Sequence, residues 1–149
     1  MTFPTHILAG LIIGKLTGDY TAALTGSLIM DVDHLFSYYQ RGILFKPRAI
    51  LHESLTAKDP TGSQKNIFHS VQSWFLVSLV LSSVNLNFGL VFSLAYIVHL
   101  MLDALNGDVY PFYPYKGIIL KKIFIGYLSK KEGVFALCMA LVFGSLFVI

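Results

Sequence analysis

The stretch Asp31-Val32-Asp33-His34 places three side chains that can bind a metal within four residues, directly after the apolar run Leu28-Ile29-Met30. More side chains of this kind stand elsewhere in the chain, namely His6, His69, His99 and Asp103. Only 13% of the residues are charged, about half the usual share, so these groups call for a common explanation. A fold that brings them together would supply that explanation.

The composition predicts a membrane protein of one domain, spanning residues 1–149. Hydrophobic residues make up 55% of the chain and the mean hydropathy is +0.68, well above that of a typical soluble domain. The lone cysteine, Cys138, excludes an internal disulfide and a cysteine-based zinc site. The net charge of +3 is modest, and we expect no nucleic-acid partner.

Apolar runs separated by turn residues predict an all-α fold, a membrane-embedded antiparallel bundle of about five helices. The predicted helices cover residues 4–17, 20–33, 67–84, 88–105 and 133–149. Between the second and third lies a polar connection, 35–66, with a short helix near 49–56. Residues 116–131 alternate apolar triplets with lysine pairs, which predicts an amphipathic helix on the membrane surface.

The distribution of basic residues predicts the orientation in the membrane. Segments 35–66 and 106–132 flank the third and fourth helices, so they lie on one side of the bundle, and each carries five Lys or Arg. The turns on the other side carry only Lys15. The positive-inside rule then places both basic segments in the cytoplasm of a multi-pass inner-membrane protein.

This topology brings the seven polar side chains to the same, cytoplasmic, end of the bundle. His99 and Asp103 are four residues apart, and Asp31 and His34 are three apart, so each pair can share one helix face. Asp33 would point elsewhere in an unbroken helix. Asp33 can bind the same metal if the helix ends near residue 32. Otherwise Asp33 binds a second metal, orients a histidine, or acts as the catalytic base for water.

A divalent cation explains the cluster best. Three carboxylates close together in a site of low dielectric constant repel one another, and an unpaired buried ion costs several kcal/mol. A metal removes both penalties. Ligation by histidine and aspartate without cysteine suits zinc, with manganese or iron as alternatives, and more than four ligands suggests two metals.

Each part of the cluster also has an ordinary explanation. His6 or His69 alone can be a structural histidine, His99 and Asp103 can form a plain hydrogen-bonded pair, and the Asp-Val-Asp-His run can cap a helix with solvated carboxylates. A structural polar cluster without metal is the sum of these explanations. His52 and Glu53 are predicted to be solvated, although either could serve as a further ligand or a base.

The order of these motifs resembles the YdjM family of inner-membrane-associated, metal-dependent hydrolases. The resemblance is carried by His6, Asp31-x-Asp33-His34, Phe68-His69-Ser70, His99-x-x-x-Asp103 and the aromatic-proline loop at 110–115. It implies a relation to the all-helical zinc-dependent phospholipase C and P1 nuclease. Met30 stands where the family usually has proline, and Lys65 stands in the segment where the family often has arginine.

Two functions from different classes follow from this interpretation. The first is a membrane-bound hydrolase that uses a metal-activated water on a phosphoester of a membrane lipid, with anionic headgroups held by the basic segments. The second is a non-catalytic metal-binding membrane protein, either a sensor, a scaffold for a soluble protein partner, or a transport component. The third and fifth predicted helices offer no further acidic residues for a transport path, which favours the hydrolase.

Overall fold

The computed structural model describes residues 1–56, 67–106, 108–115, 117–120 and 129–148. These residues form an all-helical protein, as the sequence predicts, and none of them belongs to a β-strand beyond one isolated bridge. The α-helices are α1 (Phe3–Thr17), α2 (Tyr20–Leu28), α3 (Val32–Gln40), α4 (Pro47–Thr56), α5 (Val71–Val84), α6 (Leu86–Asn106) and α7 (Lys130–Ser145).

Helices α1 and α2 form a tight antiparallel hairpin. Pro4 lies in the first turn of α1, where its missing N–H costs nothing, and Gly18 ends the helix in the left-handed conformation at φ 80°. Asp19 then caps α2 by accepting a hydrogen bond from the N–H of Ala22 at 2.9 Å. The predicted turn at residues 18–19 is confirmed.

The second predicted helix, 20–33, is wrong in its last third. Helix α2 ends at Leu28, a 3₁₀ turn covers Ile29–Asp31, and α3 continues to Gln40 within the segment predicted as a polar connection. The 3₁₀ turn winds more tightly than an α-helix, so it re-aims the side chains that follow. No glycine or proline marks this change in the sequence. The short helix predicted near 49–56 is confirmed as α4.

Helices α5 and α6 form the second antiparallel pair. Helix α5 begins at Val71, four residues later than predicted, because the Ser70 hydroxyl accepts the N–H of Ser73 and caps the helix there. The indole N–H of Trp74 donates to the carbonyl of Ser93 at 3.0 Å and fixes the two helices side by side.

Helix α6 is the centre of the molecule and packs against α1, α2 and α5. Small residues allow close approach at the α2 contact, where Ala23 and Ala95 are fully buried. A Cβ added to Gly26 would collide with the carbonyl of Phe92. This close packing determines how near His99 and Asp103, on α6, lie to α1 and α2.

Helix α7 runs parallel to α1. The N–H of Thr2 donates to Glu132 at the start of α7, and at the other end the Lys15 ammonium lies 4.2 Å from the ring centre of Phe147. Of the amphipathic helix predicted at 116–131, residues 116 and 121–128 lie outside the described part. The prediction is wrong for 117–120, which are not helical: Leu120 pairs with Val109 in an isolated antiparallel bridge.

Among the described helices, one is long and apolar enough to cross a bilayer by length and composition, namely α6. Helices α1 and α5 are shorter apolar helices. Large apolar side chains nevertheless stand exposed along α5 and α7, including Phe75, Leu79, Val80, Leu137 and Leu141. A water-soluble monomer rarely exposes so large an apolar surface, whereas the lipid of a membrane would cover it.

Candidate metal centre

The seven side chains singled out in the sequence come from five separate segments. His6 lies at the end of the first turn of α1, Asp31 ends the 3₁₀ turn, and Asp33 and His34 lie on the first turn of α3. His69 immediately precedes the cap of α5, and His99 and Asp103 lie on α6. The structure brings six of them into overlapping groups whose ligand atoms lie within 4.8 Å of one another; these six, the metal cluster, are His6, Asp31, His34, His69, His99 and Asp103.

Asp103 lies at the centre of the metal cluster. Its Oδ1 is 3.2 Å from His6 Nε2, and its Oδ2 is 3.4 Å from His69 Nε2 and 3.8 Å from His99 Nε2. Its side chain is 2% exposed. A carboxylate this deeply buried needs positive charge beside it, because desolvation penalises the anion.

Hydrogen bonds behind the cluster fix which nitrogen of two histidines carries the proton. His99 Nδ1 lies 2.7 Å from the carbonyl oxygen of Ser27, and a carbonyl oxygen can only accept, so Nδ1 donates. His69 Nδ1 lies 3.4 Å from Asp33 Oδ2, which likewise accepts. The Nε2 atoms of both neutral rings therefore carry lone pairs that face the interior of the cluster.

These two Nε2 atoms lie 3.3 Å apart. Two lone pairs at this distance repel unless a cation or a proton lies between them. His6 adds a third ring, stacked on His99 with 3.9 Å between ring centres. Both of its ring nitrogens are buried and neither has an aligned hydrogen bond, although Nε2 is within ion-pair distance of Asp103. The lone pairs of these rings are what a bound cation would engage.

The metal cluster has a closed side and an open side. His6, His69, His99 and Asp103 are almost completely buried, whereas the side chains of Asp31 and His34 are 20% and 17% exposed. The carboxylate of Asp31 lies 3.5 Å from His34 Nε2 and 3.8 Å from His99 Nε2. Burial raises the pKa of Asp31; His6 and His69 oppose the increase, and the Asp103 carboxylate adds to it. Solvent can reach the cluster at this edge.

Asp33 occupies a different position from the other six. It belongs to none of the metal-competent groups among the described residues. Its Oδ2 accepts the N–H of Phe68 at 3.0 Å and the Nδ1–H of His69 at 3.4 Å. Of the roles considered for Asp33, this geometry favours orientation of a histidine. The carboxylate holds the segment before α5 against α3 and directs the His69 ring at the cluster.

Replacing Asp33 with alanine should therefore weaken metal binding without abolishing it. We expect the affinity for zinc to fall by about 10- to 100-fold, the usual cost of removing a carboxylate that orients a ligand histidine. Competition with a zinc-binding dye measures the change, and Asp108→Ala, an exposed carboxylate near the same end of α6, is the control. An unchanged affinity, or a complete loss, would contradict the orienting role.

Sequence reasoning missed two groups beside the cluster. The α-amino group of Met1 donates to Asp103 Oδ1, and the Glu132 side chain, although 3% exposed, accepts the N–H of Thr2 at 2.6 Å. Glu132 thus attaches the start of α7 to the segment that carries His6. Its only sequence signal is an acidic residue next to Ser129, which caps α7; the contact with Thr2 depends on tertiary packing.

His52 and Glu53 lie on α4. The side chain of His52 is exposed, and that of Glu53 lies outside the described part. His52 belongs to none of the metal-competent groups found among the described residues.

The donor set fits a divalent metal. It offers four imidazoles and two carboxylates from buried and half-buried positions, with ring protons on the outer nitrogens of His69 and His99. Histidine and aspartate together suit zinc and other first-row metals, and a hydrogen-bonded Nδ1–H behind a ligating Nε2 is typical of such sites. His6, Asp31, His34, His69, His99 and Asp103 are the residues that would hold it.

Fold and site together define an all-helical protein of membrane type with a buried His/Asp cluster able to hold a metal ion. The chain matches the YdjM inner membrane protein family over residues 1–149, its whole length, and belongs to that family. No curated protein and no solved structure matches it. The relation to zinc-dependent phospholipase C and P1 nuclease stays a prediction.

Proposed function

We propose that this protein is a membrane-bound, metal-dependent hydrolase that cleaves a phosphoester of a membrane lipid. The observation that carries the proposal is the pair of His69 and His99 Nε2 atoms, 3.3 Å apart and both within 3.8 Å of Asp103 Oδ2. Backbone and carboxylate acceptors hold both rings with their lone pairs inward. Two lone pairs at this distance repel unless a cation or a proton lies between them, and zinc is the cation that we propose.

The open edge of the metal cluster supports catalysis over purely structural binding. Asp31 and His34 join the cluster to solvent, so a substrate could approach there while the buried residues stay dry. Catalytic metal sites keep a position open to water or substrate, whereas structural sites are closed by protein ligands. A bound divalent metal supplies a Lewis acid that polarises a phosphoryl oxygen and makes water more acidic.

The remaining residues bind and orient. Asp33 and the Ser27 carbonyl fix the rings of His69 and His99, while Asp103 gathers the buried histidines. His34 and Asp31, at the exposed edge, are the residues that can exchange protons with solvent near a substrate. Lipid is favoured as the source of the phosphoester because apolar side chains stand exposed on the helices around the site.

For the orientation we propose several membrane passages with the site at the cytoplasmic face. Two arguments support this: the basic segments 35–66 and 106–132 each carry five Lys or Arg, and the exposed apolar side chains of α5 and α7 extend the apolar surface beyond α6. The same basic segments would attract anionic headgroups, at about 1 kcal/mol for each Lys or Arg near the membrane surface.

The test is hydrolysis of defined phospholipids by the purified protein in lipid nanodiscs. We expect zinc-dependent release of a phosphorylated headgroup or of phosphate, detected by mass spectrometry, and loss of that release in His34→Gln. Asp19→Asn, far from the site and still able to cap α2, should keep full activity. A zinc-loaded protein that releases no product from anionic or zwitterionic phospholipids would refute the proposal.

A further inference from the structure

A partly open apolar cavity of about 130 Å³ lies directly against the metal cluster. His69 forms part of its wall, and the other lining residues are apolar. Helix α6 contributes Leu100, Met101 and Ala104, and the segment after α6 contributes Val109 and Pro111. The cavity and the metal cluster therefore share one residue, whose ring is turned toward the cluster.

The cavity runs from a buried end to an exposed rim. Leu100 and Val109 are 8% and 3% exposed, and Pro111 is also buried, so they form the inner wall. Met101 and Leu120, at 63% and 46% exposed, form the rim on the outer face of α6. Met101 stands on the exposed face of α6, which among the described helices is the one long and apolar enough to cross a bilayer, so lipid around α6 would contact this rim.

Hydrogen bonds hold the outer wall in place. The N–H of Val71 donates to the carbonyl of Pro111 at 2.8 Å, which ties the segment after α6 to the start of α5. Val109 and Leu120 exchange two backbone hydrogen bonds of 3.0 Å each. The wall opposite α6 is thus anchored at both ends, so the space is a built feature of the fold.

The chemistry of the walls selects an apolar occupant. Headgroup atoms such as hydroxyls or a phosphate would lose their hydrogen bonds to water in this cavity, and only His69 could replace them. The volume corresponds to about four water-sized groups, which suits a short hydrocarbon segment and is smaller than a typical pocket for a whole ligand. A chain entering here would have to leave through the exposed rim.

We propose that this cavity binds the hydrocarbon segment nearest the phosphate of a lipid substrate, while the rest of the chain stays in the bilayer. This inference rests on the proposed function and adds to it a specificity: a phosphoester is a good substrate when it carries an acyl chain whose first carbons can enter the cavity. Ala104 sets the available depth, because its small side chain borders the cavity on α6.

The experiment is photolabelling in nanodiscs that contain a trace of phosphatidic acid with a diazirine on one acyl chain. Two probes are compared, one with the diazirine on the first carbons of the chain and one with it at the chain end. The proximal probe should label peptides that contain residues 97–104 and 108–115, whereas the distal probe should label the exposed faces of α5 and α7.

Ala104→Phe should fill the cavity and reduce labelling of these peptides by the proximal probe. Excluding about two methylene groups corresponds to roughly a tenfold loss. Leu90→Phe, on the exposed face of the same helix, is the matched control and should leave labelling unchanged. Val71→Phe narrows the cavity from the α5 side and replaces Ala104→Phe if that variant does not fold.

Proximal labelling spread evenly over the exposed apolar surface, or unchanged in a folded Ala104→Phe variant, would overturn the inference. Two parallel measurements separate this failure from failure of the proposed function. If the protein hydrolyses a water-soluble phosphoester but shows no cavity labelling, the cavity assignment alone is refuted. Cavity labelling in a protein that binds zinc but hydrolyses no phosphoester refutes the hydrolase and retains the cavity as a lipid site.

Discussion

Replacing Asp103 with asparagine is expected to reduce zinc affinity by about a hundredfold or more and to abolish metal-dependent hydrolysis. Asp103 lies within 3.8 Å of three cluster histidines, at 3.2 Å from His6, 3.4 Å from His69 and 3.8 Å from His99. Asparagine keeps the size of the side chain but removes the negative charge. Of the two carboxylates in the cluster, the half-buried Asp31 alone would then balance the charge of the cation.

The measurement is zinc affinity by dye competition, with metal content by elemental analysis and secondary structure by circular dichroism. Asp19→Asn is the matched control, since it makes the same chemical change at the other end of α1, about 20 Å away, and asparagine caps a helix as well as aspartate. If Asp103→Asn binds zinc as tightly as the unaltered protein, the cluster is not the metal site.

Removing the metal should lower the melting temperature by about 10 °C. A ligand that binds only the folded state adds about 3 to 4 kcal/mol at 100 to 1,000 times its dissociation constant, and in a chain of this size each kcal/mol corresponds to about 3 °C. The source of the effect here is specific. Without a cation, the His69 and His99 lone pairs face each other, and the His6 ring has no aligned partner.

Thermal unfolding with and without a strong chelator measures this shift, and added zinc should restore the original value. The Asp103→Asn protein supplies the control, because its melting temperature should no longer respond to the chelator. A melting temperature that is the same in chelator and in zinc would support the alternative of a structural polar cluster without metal.

The sequence was most informative about topology. Turn residues at Gly18-Asp19 and Asn85 divide the apolar runs into antiparallel pairs, so the start of α1 and the end of α6 have to lie at the same end of the bundle. His99 and Asp103, four residues apart on α6, are close in space because of helix geometry, and Asp31 and His34, three residues apart, stay close across the junction of the 3₁₀ turn and α3.

Other features could not be read from the sequence, because they arise from tertiary packing. No glycine or proline in the sequence indicates the 3₁₀ turn at Ile29–Asp31. This turn directs Asp33 toward His69. In the sequence, Glu132 is an ordinary acidic residue in the first turn of a helix. Its burial and its contact with Thr2 are visible only in the structure. The apolar cavity depends on Val109 and Pro111, which come from a loop whose path no periodicity predicts.

The central claim is that the six residues of the metal cluster hold a transition metal between them. Elemental analysis combined with X-ray absorption at the metal edge, on protein purified without chelators, tests it most directly. We expect at least one zinc ion for each chain, with nitrogen scattering from histidine at about 2.0 Å and oxygen ligands at about 2.0–2.2 Å. Protein with no stoichiometric metal, or with a metal that shows no histidine scattering, would contradict the account.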